Sequence, residues 1–121
     1  MEDLPKITLI CPGIRTQNWL KSYESIVLSC SHTFEVIFIG PYGLPDQLKY
    51  KKNIKFIEDW GSPIRCQQIG LIHAKGDYIS WFADDGEYLP GALDIAFEKL
   101  SLENYDPNTL VMGKYREGDG D

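Results

Sequence analysis

Two adjacent carboxylates, Asp84 and Asp85, directly follow an apolar run and are the residues of this sequence best suited to chemistry. This acid pair suits a hard divalent cation, because Mg²⁺ is typically held by one or two carboxylates while waters and substrate phosphates fill its remaining positions. An ion bound there would neutralise a diphosphate and stabilise it as a leaving group. The acids also suit a simple turn, since Asp-Gly at 85–86 is a strong turn signal. From these residues alone, both interpretations stay open.

The elements that must position the acid pair begin with four short runs of strand character. Each run is rich in β-branched or aromatic residues and borders on Gly, Pro or Asp. The predicted strands are residues 6–11, 34–40, 54–58 and 78–83, and a further run at 109–113 is also typical of a strand. The second and fourth runs are nearly continuous in apolar character, which predicts strands covered on both faces.

Amphipathic patterns predict one helix after the first strand and another after the acid pair. The first has Thr16 or Asn18 as its N-cap. Its apolar residues recur at helical spacing: Trp19, Leu20, Tyr23, Ile26, Val27 and Cys30. The later helix runs from about Pro90 to Leu100, and its apolar face carries four residues: Leu93, Ala96, Phe97 and Leu100.

A third helix is predicted between the third and fourth strands. It starts with Ser62 and Pro63, which match the preferences for an N-cap and a first helical residue, and it ends at Gly76. Its predicted buried stripe consists of three residues: Ile64, Ile69 and Ile72.

Strands that alternate with helices predict a three-layer α/β/α sandwich with a mainly parallel sheet and right-handed crossovers. In such sheets ligands bind outside the carboxyl ends of the strands, near the point where the strand order reverses. All four strand ends are rich in Gly, Pro or acids: 11–15, 40–43, 58–61 and 83–86. The acid pair is therefore predicted to form one wall of a crevice at this edge of the sheet, called the carboxyl edge below.

Composition narrows the class of protein. The chain has 121 residues, which predicts one domain, and a net charge of −6 without a basic stripe, which argues against a nucleic-acid partner. The three cysteines are widely spaced and form no C-x-x-C motif, so we expect small buried residues in a reducing compartment. Neither a signal peptide nor a membrane-spanning run is recognisable, so we expect a cytoplasmic protein.

The order of these patterns resembles the N-terminal, donor-binding half of a family 2 glycosyltransferase, which has a GT-A type fold. The resemblance rests on three stretches: "ITLICPGIRTQNWLKSYESIVLSC", "FEVIFIG" and "IGLIHAKGDYISWFADDGEYLPGALD". It covers roughly residues 5 to 113, and its specificity lies in the ordered combination of motifs. We therefore expect residues 1–121 to form a single, truncated GT-A-like domain with a flexible tail at 114–121.

The resemblance implies a transferase that binds a nucleotide-diphospho-sugar, most simply a UDP-sugar, with Mg²⁺ or Mn²⁺ and transfers the sugar to an unknown acceptor. Pro12 and Gly13 would lie under the base and ribose, the region of Gly40 would flank the base, and Arg65 would face the phosphates. The implied substrate-binding residues are Pro12, Gly13, Arg15, Gly40, Pro41, Arg65 and Asp84. The implied metal ligands are Asp85, at the metal-facing position, and Asp84 beside it.

The sequence departs from the family pattern in three places. The second strand ends in "IGPYG", which has no acid to hold the base, and the Asp-x-Asp metal motif is replaced by Ala83 and Asp85. Gln68 stands where the family commonly has Asn. The family's acceptor site and catalytic base lie beyond the strand that matches 109–113, so we identify no catalytic residue in this chain.

Three alternative functions remain open. The chain could be a catalytically incomplete fragment or a homologue that binds its ligand without turnover. A related nucleotidyltransferase would share the fold, but it would require a basic Gly-rich loop after the first strand, where this sequence has only Arg15. A response-regulator-like module would require an acid pair after the first strand instead of the fourth.

Overall fold

The structure, a computed structural model, describes residues 4–83 and 86–102 and consists of a four-stranded sheet with helices on both faces. The strands are β1 (Ile7–Pro12), β2 (Phe34–Gly40), β3 (Ile54–Glu58) and β4 (Tyr78–Trp81). The helices are α1 (Trp19–Ser29), α2 (Pro63–His73) and α3 (Ala92–Leu102), and short 3-10 turns span Thr16–Asn18 and Asp46–Leu48. The predicted strand at 109–113 and the tail at 114–121 lie outside the described residues.

All four strands are parallel and lie in the order β3-β2-β1-β4. From β1 the chain first builds β2 and β3 on one side, and then returns to place β4 on the other side of β1. The predicted α/β class with a mainly parallel sheet is therefore confirmed. This order also has a reversal point, which lies between β1 and β4.

One face of the sheet packs against α1 and α3. Trp19 of α1 is fully buried and stacks on Phe38 of β2, with ring centroids 4.5 Å apart. Leu93 and Phe97 bring α3 onto the same core. The first predicted helix is confirmed, and Asn18 occupies its N-cap position, although its side chain makes no capping hydrogen bond. Val27, which was predicted on the apolar face, is 50% exposed.

The opposite face packs against α2, and here the predicted buried stripe is wrong for two of its three residues, since only Ile69 packs against the core. Ile64 and Ile72 are 71% and 80% exposed, whereas Cys66 and Gly70 are buried. The reason is close approach: a Cβ at Gly70 would lie 2.5 Å from Ile10 Cγ2, so only glycine lets α2 approach β1 this closely. The helix start is confirmed, since the Ser62 side chain accepts a hydrogen bond from the Arg65 N–H. The helix ends at His73, before the expected Gly76.

Strand β4 is covered on one face only, which corrects the prediction that it is buried on both. Ile79 and Trp81 are 44% and 57% exposed on the side of α2, although Trp81 was expected in the core. Phe82 does pack against the α1 core, as expected. All three cysteines are buried, as expected.

A buried carboxylate joins the start of β2 to the connection between α2 and β4. Glu35, only 6% exposed, accepts hydrogen bonds from the Thr8 hydroxyl at 2.6 Å and the Lys75 N–H at 2.7 Å. Its other oxygen lies 3.1 Å from Lys55 Nζ. The Gly76 N–H donates to Thr8 Oγ1, which completes the network at the end of the sheet opposite the carboxyl edge.

None of the helices in the two described ranges is long and apolar enough to cross a membrane.

Candidate functional site

The acid pair lies outside the described residues, but the chain is described on both sides of it. Before the pair, the Phe82 N–H donates to the Ile10 carbonyl at 3.0 Å, so the chain still follows β1 beyond the end of β4. After the pair, the Gly86 N–H donates to the Ala83 carbonyl at 3.0 Å. The chain therefore enters and leaves the acid pair through backbone hydrogen bonds at the carboxyl edge.

Helix α1 holds the segment that follows the acid pair. The Ser22 hydroxyl donates to the Gly86 carbonyl at 2.8 Å, and the Ser25 hydroxyl accepts from the Tyr88 N–H at 3.1 Å. The Tyr88 hydroxyl in turn lies 3.0 Å from Ser80 Oγ on β4. The sequence alone did not point to Ser22 and Ser25, because their hydrogen-bond partners lie about sixty positions further along the chain.

The ends of β1, β2 and β3 are tied together by backbone contacts at the same edge. The Gly13 N–H donates to the Ile39 carbonyl at 3.0 Å, and the Asp59 N–H donates to the Gly40 carbonyl at 3.0 Å. A Cβ at Gly40 would overlap the carbonyl oxygen of Gly13. Glycine at position 40 therefore allows the ends of β1 and β2 to meet without a side chain between them.

Six of the implied substrate-binding residues are described, and all belong to segments that end or begin at the carboxyl edge: Pro12, Gly13, Arg15, Gly40, Pro41 and Arg65. Pro12 and Gly40 are buried, whereas Gly13 and Pro41 are partly exposed and both arginines are exposed. Pro12 and Gly40 therefore shape the floor of the edge, and the arginines supply its positive charge.

Arg65 has a carboxylate partner within the chain. Its Nε lies 3.2 Å from both carboxylate oxygens of Asp59, and Asp59 Oδ2 also accepts the Gly61 N–H at 2.9 Å. These interactions, the Gly61 N–H first, hold the pKa of the Asp59 carboxyl below its ordinary value. Asp59 thus orients Arg65 at the start of α2, a role that the sequence did not indicate.

Two exposed aromatic residues stand beside this ion pair. Tyr42 follows the end of β2 and Trp60 follows the end of β3, and they are 53% and 73% exposed. Their ring centroids are 6.0 Å apart at an interplanar angle of 72°. This aromatic pair places an exposed apolar surface at the ends of β2 and β3.

Two cavities are lined by described residues. One, of about 360 Å³, lies between α1 and residues 87–90, and the other, of about 340 Å³, lies near Lys52, Lys55 and Lys75. Within residues 4–83 and 86–102, no three His, Cys, Asp or Glu side chains form a group that could hold a metal ion. A metal site at the carboxyl edge would therefore depend on the acid pair and on oxygens of the ligand.

The fold and the edge together define a parallel α/β domain with a reversal point in its strand order. Neither the models of known protein families nor the curated proteins that were searched include a match to this chain. Its function is therefore inferred from the fold and from the residues at the carboxyl edge.

Proposed function

We propose that this chain is a glycosyltransferase-like donor-binding domain of GT-A type, which binds a nucleotide-diphospho-sugar and a divalent metal for sugar transfer to an acceptor. The observation that carries the proposal is the reversal of strand order between β1 and β4. In open parallel sheets, ligands bind in the crevice outside the carboxyl ends of the strands at such a reversal. Here the two strands concerned lead into Gly13 and into the acid pair.

The register of β1 and β4 supports this assignment. Ile10 lies opposite Trp81, so the same register continued by two residues sets Pro12 beside Ala83. In the sequence, Gly13 follows Pro12 and the acid pair follows Ala83. A diphosphate at this position would lie between a carboxylate pair that suits Mg²⁺ or Mn²⁺ and the exposed residue Arg15.

The start of α2 adds a second source of positive potential. The N-terminus of a helix carries a partial positive charge, which favours a phosphate. Arg65 lies in the first turn of α2, and Asp59 orients its guanidinium. A divalent ion held by the acid pair would supply the remaining charge needed to stabilise a diphosphate leaving group.

The strand order argues against a response-regulator-like module. In that fold the sheet has the order 2-1-3-4-5, so β1 lies between β2 and β3. Here β1 lies between β2 and β4. A related nucleotidyltransferase and a homologue that only binds its ligand share the observed sheet, and they differ from a transferase in their reactions.

Calorimetric titration with nucleoside diphosphates, with and without Mg²⁺ or Mn²⁺, tests the proposal. We expect weak binding that becomes tighter with metal. No heat and no thermal shift with any of them would refute the donor-site assignment. Incubation with a sugar 1-phosphate and nucleoside triphosphates separates the main alternative, since a nucleotidyltransferase would release pyrophosphate. Radiolabelled nucleotide-sugars with an acceptor panel then test transfer itself.

A further inference from the structure

The geometry points to Tyr42 and Trp60 as a stacking platform for the nucleobase, so that the site recognises the face of the base and not its edge. This inference rests on the proposed function, because it concerns the nucleotide bound at the carboxyl edge. It names the ligand class more narrowly: purine nucleoside diphosphates should bind at least as tightly as uridine diphosphate.

The turn that carries Trp60 is held on both sides. Asp59 donates its N–H to the Gly40 carbonyl at 3.0 Å and accepts the Gly61 N–H at its carboxylate at 2.9 Å. A Cβ at Gly61 would overlap Arg65 Cδ, so residue 61 packs directly against the arginine. Trp60 is therefore held in solvent on a fixed turn. A fixed turn lowers the ordering cost of binding, because less conformational freedom is lost when the ligand arrives.

The two rings are arranged to meet a planar ligand. Their 72° interplanar angle and 6.0 Å separation describe an edge-to-face pair, so a base would stack on a ring face that this contact leaves open. A single exposed aromatic side chain is normal on a protein surface. Two aromatic side chains whose rings are in contact at the carboxyl edge form a continuous apolar surface. Arg65 contacts Asp59, the residue that precedes Trp60. Its guanidinium would neutralise the phosphates of a nucleotide whose base stacks on the aromatic pair.

The end of β2 offers little with which to recognise the edge of a base. Reading a uracil edge requires an acceptor for its imide N–H, and "GPYG" at 40–43 provides no carboxylate or amide side chain. Stacking has no such requirement, since every base has a π face. Purines offer the larger face. The nearest carboxylate in register is Glu58, which lies opposite Gly40 and is exposed, and it is the competing candidate for edge recognition.

The test compares ligands that do and do not carry a base. The 121-residue chain is titrated, with Mg²⁺ present, against pyrophosphate, UDP, ADP and GDP. We expect the nucleoside diphosphates to bind about 5- to 150-fold tighter than pyrophosphate, which is the range that stacking of one base provides. Trp60→Ala should remove most of this gain and Trp60→Phe should keep it. Trp81→Ala is the matched control, because Trp81 is also exposed but lies within β4 on the α2 side.

The outcomes separate the platform from the proposed function. If no diphosphate binds, the donor site itself is refuted. If pyrophosphate binds but the base adds nothing, or if Trp60→Ala behaves like Trp81→Ala, the platform is refuted and the diphosphate site stands. If UDP binds much more tightly than the purine ligands and Glu58→Gln removes that preference, recognition is through the base edge and the platform is again refuted. Circular dichroism of each variant verifies that it is folded.

Discussion

The hydroxyl of Ser22 donates a 2.8 Å hydrogen bond to the carbonyl of Gly86, 64 residues further along the chain. Ser22 is buried in the middle of α1, and Gly86 is the first described residue after the acid pair. The contact therefore connects the helix that follows β1 to the turn that follows β4. It holds the segment after β4, which forms one wall of the proposed crevice, against α1, which leads away from the β1 side of the crevice.

Ser22→Ala should weaken metal-dependent binding of nucleoside diphosphates. The variant removes the hydrogen bond to the partly buried Gly86 carbonyl, which costs about 1–3 kcal/mol in stability, and it frees the segment that begins at Gly86. We expect the metal-dependent affinity to fall by roughly 5- to 10-fold, about 1 kcal/mol, while metal-free affinity changes little. Titration with and without Mg²⁺ measures both. Ser29→Ala is the control, because Ser29 is equally buried but its hydroxyl donates to the Ile26 carbonyl of its own helix. An equal effect in both variants would contradict the role of Ser22.

Gly40→Ala should destabilise the fold and Gly43→Ala should not. A Cβ at position 40 would overlap the Gly13 carbonyl, whereas a Cβ at position 43 meets no atom within 4 Å. Overpacking of this kind costs about 1–3 kcal/mol, and surface substitutions usually stay within about 0.5 kcal/mol. Urea unfolding of both variants provides the comparison. Nucleotide binding should also weaken in Gly40→Ala, since the ends of β1 and β2 are forced apart. Equal midpoints for the two variants would show that the edge relaxes easily.

Glu35 should make stability depend on acid pH. Burial alone raises its pKa, but hydrogen bonds from Thr8, the Lys75 N–H and Lys55 outweigh it and hold the pKa below the ordinary value. Because its folded-state pKa is lowered, the Glu35 carboxylate contributes its full stabilisation of the fold above the ordinary glutamate pKa of about 4.3. This stabilisation is lost as the pH falls through the lowered pKa.

Glu35→Gln should therefore be less stable than the parent at neutral pH, by about 1.5–3 kcal/mol, and should lose less stability on acidification. Chemical unfolding between neutral and strongly acid pH measures the two curves. Glu24→Gln serves as the control, because Glu24 is exposed on α1. Parallel curves for the parent and Glu35→Gln would refute the assignment.

Asp85→Ala should remove the metal dependence of nucleotide binding, while Asp84→Ala should weaken it less. The prediction follows from the resemblance to family 2 glycosyltransferases, which implies that Asp85 is the metal-facing acid. Titration with Mn²⁺ and a nucleoside diphosphate measures the difference. Asp77→Ala is a suitable control, since Asp77 is an exposed acid that precedes β4 and pairs with Lys6. The opposite ranking would mean that the register of the acid pair is shifted by one residue.

Local patterns were sufficient to predict the elements that carry the carboxyl edge. The bounds of β2 and β3 are those expected, and Ser62 and Pro63 start α2 as their types indicate. These features depend on neighbouring residues alone, through strand propensity and capping. The placement of Gly13, Gly40 and Arg65 at one edge then follows from the parallel order of the strands.

Packing between distant elements was not predictable in the same way. Periodicity favoured Ile64 and Ile72 as the buried face of α2, but the helix packs through Gly70, because close backbone approach outweighs side-chain hydrophobicity there. The pairing of Asp59 with Arg65 depends on how a turn meets a helix start. In β4, Trp81 has the composition of a core residue, yet its exposure depends on whether another element covers that side.

The position of α3 limits how the sheet can grow beyond β4. The connection through α2 crosses one face to reach β4, whereas α3 packs on the other face, beside α1. Right-handed crossovers predominate in parallel sheets, and continuing outward past β4 with that hand requires a helix on the α2 face. A further parallel strand reached through a helix on the α1 face therefore does not fit directly against β4. That side of β4 suits an antiparallel strand instead.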